Sequence, residues 1–297
     1  MGETKKGTPK RGVSVFSYSR FIGKSMTLED CFKDIYDMGA THFEMLTSHI
    51  EGYPNPTPEW VDKFWRLCEK YKLQPEEMGH WAETHLRRGE RLSDKEMVNQ
   101  LITDFKVANL LGFTKLRTKI TCINSHCDPE PGWEKYIEMA LPYAEKYNVK
   151  MLTEVHNPTT LRRDHIFDYI DFIKKTGTKH FGFNVDFGTF QTKAHEGTHI
   201  VGERAKMMQE FYDNPSKPED LLAVLPYTYC CHAKFTYMND NFVEETIPYA
   251  DILKVLVDNG YNDALLSEYE GRRDLGYEYV GDQLRRQHLM MSNILGY

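Results

Sequence analysis

With 297 residues, 40% of them hydrophobic and 13% aromatic, the chain has material for one large buried core, and no apolar run approaches the roughly 20 residues of a membrane-spanning helix. A net charge of −7 and a pI near 6.0 argue against nucleic acid as the main partner, because binding a phosphate backbone draws on clustered Lys and Arg. The six cysteines (Cys31, Cys68, Cys122, Cys127, Cys230 and Cys231) form neither a zinc-type Cys-x-x-Cys pair nor a compact disulfide framework. Reduced thiols in a core are expected. The start, Met-Gly-Glu-Thr-Lys-Lys-Gly, lacks the apolar stretch of a signal peptide, and Lys6 stands where a myristoylation motif needs Ser or Thr, so the expected location is cytoplasmic.

Residues 1–11 are polar and basic without apolar periodicity, which predicts a flexible lead-in ahead of one domain over 12–297. Gly12 to Ser19 alternates like a first strand. Thr27 with Asp30 three residues on forms a capping signature, followed by Cys31, Ile35 and Met38 at helical spacing and a stop at Gly39. A strand at His42–Leu46, a helix over Pro58–Tyr71, a strand at Pro75–Trp81, a helix over Ser93–Leu111 stopped by Gly112, and a strand at Lys115–Thr121 continue the alternation. Helices near 132–147, 164–176, 246–258 and 276–294 carry it through the second half. Strict alternation predicts a parallel sheet, and eight strands with eight helices predict closure into a (β/α)8 barrel. No Gly-x-Gly-x-x-Gly follows a strand, which removes the commonest reason to prefer an open doubly wound sheet. Residues 189–217 and 236–245, after the sixth and seventh strands, exceed an ordinary βα loop and are read as insertions that serve as a lid, a docking surface or a plain surface excursion.

Four late strands end on residue types that bind metals: Glu154, Asp186, His232 and Glu268. Their separations approximate one βα unit, with an excess before His232. Active sites of barrels form where strands end, and three carboxylates with one imidazole suit Mn2+, Mg2+ or Co2+; zinc is less favoured because no cysteine is in register. The competing reading is a polar barrel top without a metal.

Side chains at i and i+2 share a strand face, so His156 points the same way as Glu154. It is then a general base, a hydrogen-bond partner or a packed neutral imidazole. Lys234 shares the face of His232 and either neutralises an oxyanion or closes a salt bridge at the rim. Glu44 and His80 are read as ending the second and third strands, where they bind sugar hydroxyls or play structural parts. Arg272, Tyr18 and Arg117 are weaker candidates of the same kind, and Glu270 is read as solvated.

The run Glu154-Val-His156-Asn-Pro158, then Asp186-Phe-Gly-Thr-Phe190-Gln191, His232-Ala-Lys234-Phe235, Ser267-Glu268-Tyr-Glu270-Gly271 and Arg286-Gln287-His288 resembles the xylose isomerase-like sugar isomerase and epimerase superfamily. Within it the chain looks most like the large (α) subunits of bacterial C-glycoside deglycosidases. The resemblance implies a barrel holding Mn2+ or a similar ion, a small separately encoded β subunit as partner, and a flavonoid-type C-glucoside already oxidised to the 3-oxo form as substrate. It implies a lyase in which His156 removes the C2 proton, made acidic by the C3 carbonyl, before the C1 to aryl bond breaks. The ketose 3-epimerases of the superfamily instead use the two metal-binding glutamates, here Glu154 and Glu268, as acid and base. A sugar epimerase or isomerase is therefore the second reading, and a non-catalytic binding subunit the third.

Overall fold

The computed structural model describes residues 6–80, 91–118, 126–195 and 201–297. Eight parallel strands close in chain order into a barrel, each paired with its sequence neighbours and β8 with β1. The order is β1 (Lys10–Ser14), α1 (Leu28–Asp37), β2 (His42–Leu46), α2 (Pro58–Tyr71), β3 (Gln74–His80), α3 (Asp94–Leu110), β4 (Lys115–Thr118) and α4 (Trp133–Tyr147). Then follow β5 (Lys150–Val155), α5 (Asp164–Thr176), β6 (Phe181–Asp186), α6 (Gly202–Asp213), the single-turn α7 (Leu221–Val224), β7 (Thr228–Phe235), α8 (Tyr249–Asp258), β8 (Ala264–Tyr269) and α9 (Tyr277–Leu295).

Helix starts follow their caps. Thr27 and Ser93 both make reciprocal capping boxes, with Asp30 and Glu96 respectively, and Thr57 accepts from the Trp60 amide. The first strand departs from the sequence reading: it begins at Lys10 and ends at Ser14, after which Val15–Tyr18 turn into a short 3₁₀ segment. The amides of Gly7 and Thr8, read from the sequence as part of a lead-in, bond to Val257 O and Asn262 Oδ1. The expected ends of two strands, Trp81 and Thr121, lie outside the described residues, as do Cys122 and Gly197. The 189–217 stretch contains α6, and 236–245 has no helix or strand among its residues.

Strand alternation sorts side chains into two layers. Phe43, Met78, Leu116, Met151, Phe183, Val185 and Leu265 face the helices and join their apolar stripes in the main core. A small apolar cluster, Leu152, Cys230, Ala264 and Leu266, packs separately from that core. Two residues further along β5, β7 and β8 the same faces carry Glu154, His232 and Glu268, so polar groups stack directly on this plug. Register brings Asp186 beside His232 and Lys234 beside Glu268.

Gly79 makes room for that polar layer. A Cβ there would lie 2.4 Å from Leu46 Cδ2 and 2.9 Å from both Arg117 Nη2 and Glu44 Oε1. Gly79→Ala is therefore expected to lower unfolding free energy by about 1–3 kcal/mol, the usual cost of overpacking, in urea denaturation. An unchanged midpoint would show that the interior has slack at this level.

Candidate metal centre

The centre is built around His232, which is fully buried on β7. Its Nε2 lies 3.2 Å from Glu77 Oε2 and 3.5 Å from Glu44 Oε2, while Nδ1 lies 3.0 Å from Glu268 Oε2 and 3.2 Å from Glu154 Oε1. Only the Glu77 contact has hydrogen-bond geometry; the close approaches at Nδ1 do not. Glu77 Oε2 also accepts from Asn184 Nδ2 at 2.7 Å, so it is an acceptor and Nε2 carries the proton it receives. Nδ1 then faces the carboxylates of Glu154 and Glu268, the arrangement in which a histidine ligates a metal while its other nitrogen is held by a carboxylate.

The flanking carboxylates are fixed as firmly. Arg117 donates Nε to Glu44 Oε1 at 2.8 Å and Nη1 to Glu154 Oε2 at 3.0 Å, and Ser14 Oγ donates to Glu44. Asp186 Oδ1 accepts the Gly188 amide at 2.6 Å, and its Oδ2 lies 3.2 Å from Lys234 Nζ. Lys234 also reaches Glu270 Oε2 at 2.9 Å, so Glu270 is an ion-pair partner and not merely solvated.

Charge in this layer is unbalanced toward the negative. Burial would depress His232, yet Glu268, Glu44 and Glu154 hold it well above its usual value. Burial would likewise lower Lys234, but Asp186 and Glu270 hold the ammonium well above its ordinary range. Burial lifts Asp186 to about 6 against the pull of Lys234, with Glu268 and Glu154 adding to the rise. Burial would also raise Glu154, but Arg117, His232 and His156 draw it well below the carboxylate range. The cluster calls for more positive charge than Arg117 and Lys234 supply.

Ligand atoms of Glu154, Asp186, His232 and Glu268 all lie within 4.8 Å of one another. Asp186 Oδ2, His232 Nδ1 and Glu268 Oε2 are buried and make no hydrogen bond to a described residue, their close neighbours being only the ionic contacts given above. Three oxygen donors and one imidazole with orphaned atoms turned together fit a hard to borderline divalent cation. Glu44, Glu77 and His232 also bring ligand atoms within 4.8 Å of one another, but Arg117 is bonded to Glu44 and Asn184 to Glu77, which disfavours a second cation there.

A cavity of about 870 Å³ adjoins the centre at Gly188 and Lys234, both in contact with Asp186, and is lined further by His156, Glu270, Gln191 and residues of α6. His156 follows the last residue of β5; its Nδ1 lies 2.6 Å from the carbonyl oxygen of Asn157, and its Nε2 lies 3.7 Å from Cys127 Sγ. A carbonyl only accepts, so the proton sits on Nδ1 and Nε2 is the basic nitrogen.

Other expected site residues are placed elsewhere. Glu44 lies in the middle of β2, fully buried, with both oxygens taken by Ser14 and Arg117, so it is a support beneath the centre and not a sugar contact. His80 does end β3, where Asp104 Oδ2 holds its Nδ1 at 2.8 Å, and it does not line the cavity. Arg272 has a side chain 68% exposed, is bidentate to Asp274 and is not among the residues that line the cavity. Tyr18 is buried against Asp34, outside the centre. Sequence reasoning passed over Glu77, Asn184 and Ser14. The signal was present in β3, where Glu77 shares a face with Gly79, a residue too small to fill a barrel interior.

Metal binding must displace protons here. As pH falls below the raised pKa of His232 the affinity for Mn2+ is expected to fall about 10-fold per pH unit, and below about 6 to steepen toward about 100-fold as Asp186 is protonated as well. Titration calorimetry across pH measures this, and a flat profile would contradict the ligand set.

A sequence profile described as xylose isomerase-like TIM barrel matches residues 32–290. The chain is 23% identical to a C-glycoside deglycosidase alpha subunit of Microbacterium trichothecenolyticum, covering 90% of this chain and 85% of the relative. It is 22% identical to a 3'-dehydrocarminate deglycosidase alpha subunit of Microbacterium sp, covering 97% and 96%. Among solved structures, D-psicose 3-epimerase of Clostridium cellulolyticum H10 superposes with a TM-score of 0.66 at 13% identity, over 96% of this chain and 99% of that one, a likeness of fold. The chain belongs to the xylose isomerase-like TIM barrel family.

Proposed function

We propose that this chain is the catalytic subunit of a metal-dependent lyase that breaks the carbon–carbon glycosidic bond of 3-oxo-C-glucosides. The names of the deglycosidase relatives support the reaction class, and one observation carries the choice of mechanism: His156 lines the cavity with its tautomer fixed, so that Nε2 is the basic nitrogen. Glu154 is a poor base by comparison, because Arg117 and the neighbouring imidazoles overcome the effect of its burial and hold it well below the usual range. That favours an imidazole-based lyase over an epimerase using Glu154 and Glu268.

Glu154, Asp186, His232 and Glu268 would hold the cation, which when bound supplies electrostatic stabilisation of negative charge developing on the sugar oxygens. His156 Nε2 takes the C2 proton, and the electron pair of that C–H bond passes toward the C3 carbonyl. The Lys234 ammonium, held charged by Asp186 and Glu270, faces the developing enolate. Collapse of the enolate forms the C1–C2 double bond and expels the pair of the C1 to aryl bond onto the aglycone carbon, which takes up a proton. The sugar leaves as an unsaturated ketone. Mn2+ is the proposed ion, with Mg2+ or Co2+ as alternatives.

Because the relatives are named as alpha subunits, we also propose a small second subunit as partner. Phe242 and Val243, exposed in the 236–245 stretch, support a docking surface there.

The test is turnover of a 3-oxo-C-glucoside, set against simple ketoses, by the chain alone and co-expressed with its small genomic neighbour. His156→Gln is expected to keep its metal and lose about 10²–10⁴ in kcat, while Glu154→Gln loses metal and activity together. Near-normal turnover by His156→Gln would remove the mechanism, and full activity of the chain alone would remove the partner.

A further inference from the structure

Sugar chemistry at the metal centre leaves most of the cavity unused. Its volume of about 870 Å³ lies near the top of the range, about 300–1,000 Å³, of pockets that enclose drug-sized ligands. A single pyranose ring between His156 and Lys234 fills only one end. The space continues to α6, which the sequence reading treated as part of an insertion and which no step of the proposed reaction uses.

The face that α6 turns to this space is chemically distinct from the polar end. Arg204, Met208 and Tyr212 recur at intervals of one helical turn, with Met207 beside Met208, and all four line the cavity. Met208 is buried, and Met207 and Tyr212 are partly buried. Phe235 and Ile247 line the same cavity from other elements. Thioethers and aromatic rings pack favourably against flat π-faces, and methionine adapts its shape to them at little cost. Arg204 is exposed at the cavity edge and makes no ion pair with a described residue, which leaves its guanidinium available to an oxygen substituent or to stacking on a ring. Glu203, the neighbouring acid, sits in the first turn of α6, where its charge suits the helix N-terminus.

We infer that α6 is the leaving-group subsite: Met207, Met208 and Tyr212 form an apolar face that selects a flat, multi-ring aromatic aglycone, and Arg204 meets an oxygen substituent on it. This rests on the lyase reading and adds the element that sets its substrate range. A small or non-planar aglycone gains nothing from this face. An extended one gains contact that is present before and during bond breaking, so selectivity appears mainly in KM.

The experiment compares two 3-oxo-C-glucosides, one with a single phenyl aglycone and one with a fused multi-ring aglycone, using metal-loaded enzyme with its partner if the complex requires one. Met207→Ala and, independently, Tyr212→Ala are expected to lower the ratio of kcat/KM for the multi-ring over the phenyl substrate by roughly 10-fold or more. Met207→Leu, which keeps the apolar bulk, should hold the ratio within about 3-fold of wild type. Arg204→Met is expected to lower the ratio only when the large aglycone bears a hydroxyl or carboxylate. Equal losses on both substrates would mean that α6 acts only through folding, and an unchanged ratio would mean that the aglycone lies elsewhere; either overturns the inference. Washout of C2 deuterium from a 3-oxo-glucoside by the wild-type enzyme tests the lyase reading separately, and its absence would remove that reading together with the subsite that rests on it.

Discussion

Everything at the top of this barrel answers to one constraint, the concentration of carboxylates around a buried imidazole. Glu44, Glu77, Glu154, Asp186 and Glu268 surround His232, with Arg117 and Lys234 as the fixed cations. Burying charge without pairing it is costly, and removing one partner from such a network leaves another stranded. The opposite directions in which neighbouring carboxyls are pushed, Asp186 upward and Glu154 downward, follow from which of them meets Arg117. A divalent cation would relieve the remaining excess at the point where the orphaned donor atoms meet.

The fold supplies the constraint by its periodicity. Each strand spends its outward residues on helix packing and its inward residues on the barrel interior, so the change from apolar plug to polar layer occurs within two positions on β5, β7 and β8. Arg117 is the link between levels, since it ties Glu44 on β2 to Glu154 on β5 across the interior and needs Gly79 on β3 to do so. Precision at the candidate ligands thus depends on the size of a residue that is not itself one of them.

The four late candidate ligands stood out because each follows an apolar run in its strand, although only Asp186 closes one: Glu154 and Glu268 come one residue before the ends of β5 and β8, and His232 three before the end of β7. Capping pairs at Thr27 and Ser93 made two helix starts legible for the same reason, a local rule with a local cause. Glu44 was misread because a five-residue strand gives no internal sign of which residue is its last. Glu77 was missed because a strand reading Gln-Pro-Glu-Glu-Met-Gly-His looks solvated until closure shows that its inner face meets His232 and Asn184. The place of Arg272 was not legible because a loop residue just past a strand can turn either way, and here it pairs with Asp274. The helical character of residues 202–213 was hidden by the length of the insertion that contains it.

The account stands on convergence of side chains from four strands upon a single ion. Crystals soaked in Mn2+ and measured for anomalous scattering test this directly. The prediction is one strong peak at about 2.0–2.6 Å from Glu154, Asp186 and Glu268 oxygens and from His232 Nδ1. A peak between Glu44, Glu77 and His232 Nε2, or no peak in the barrel, would contradict it.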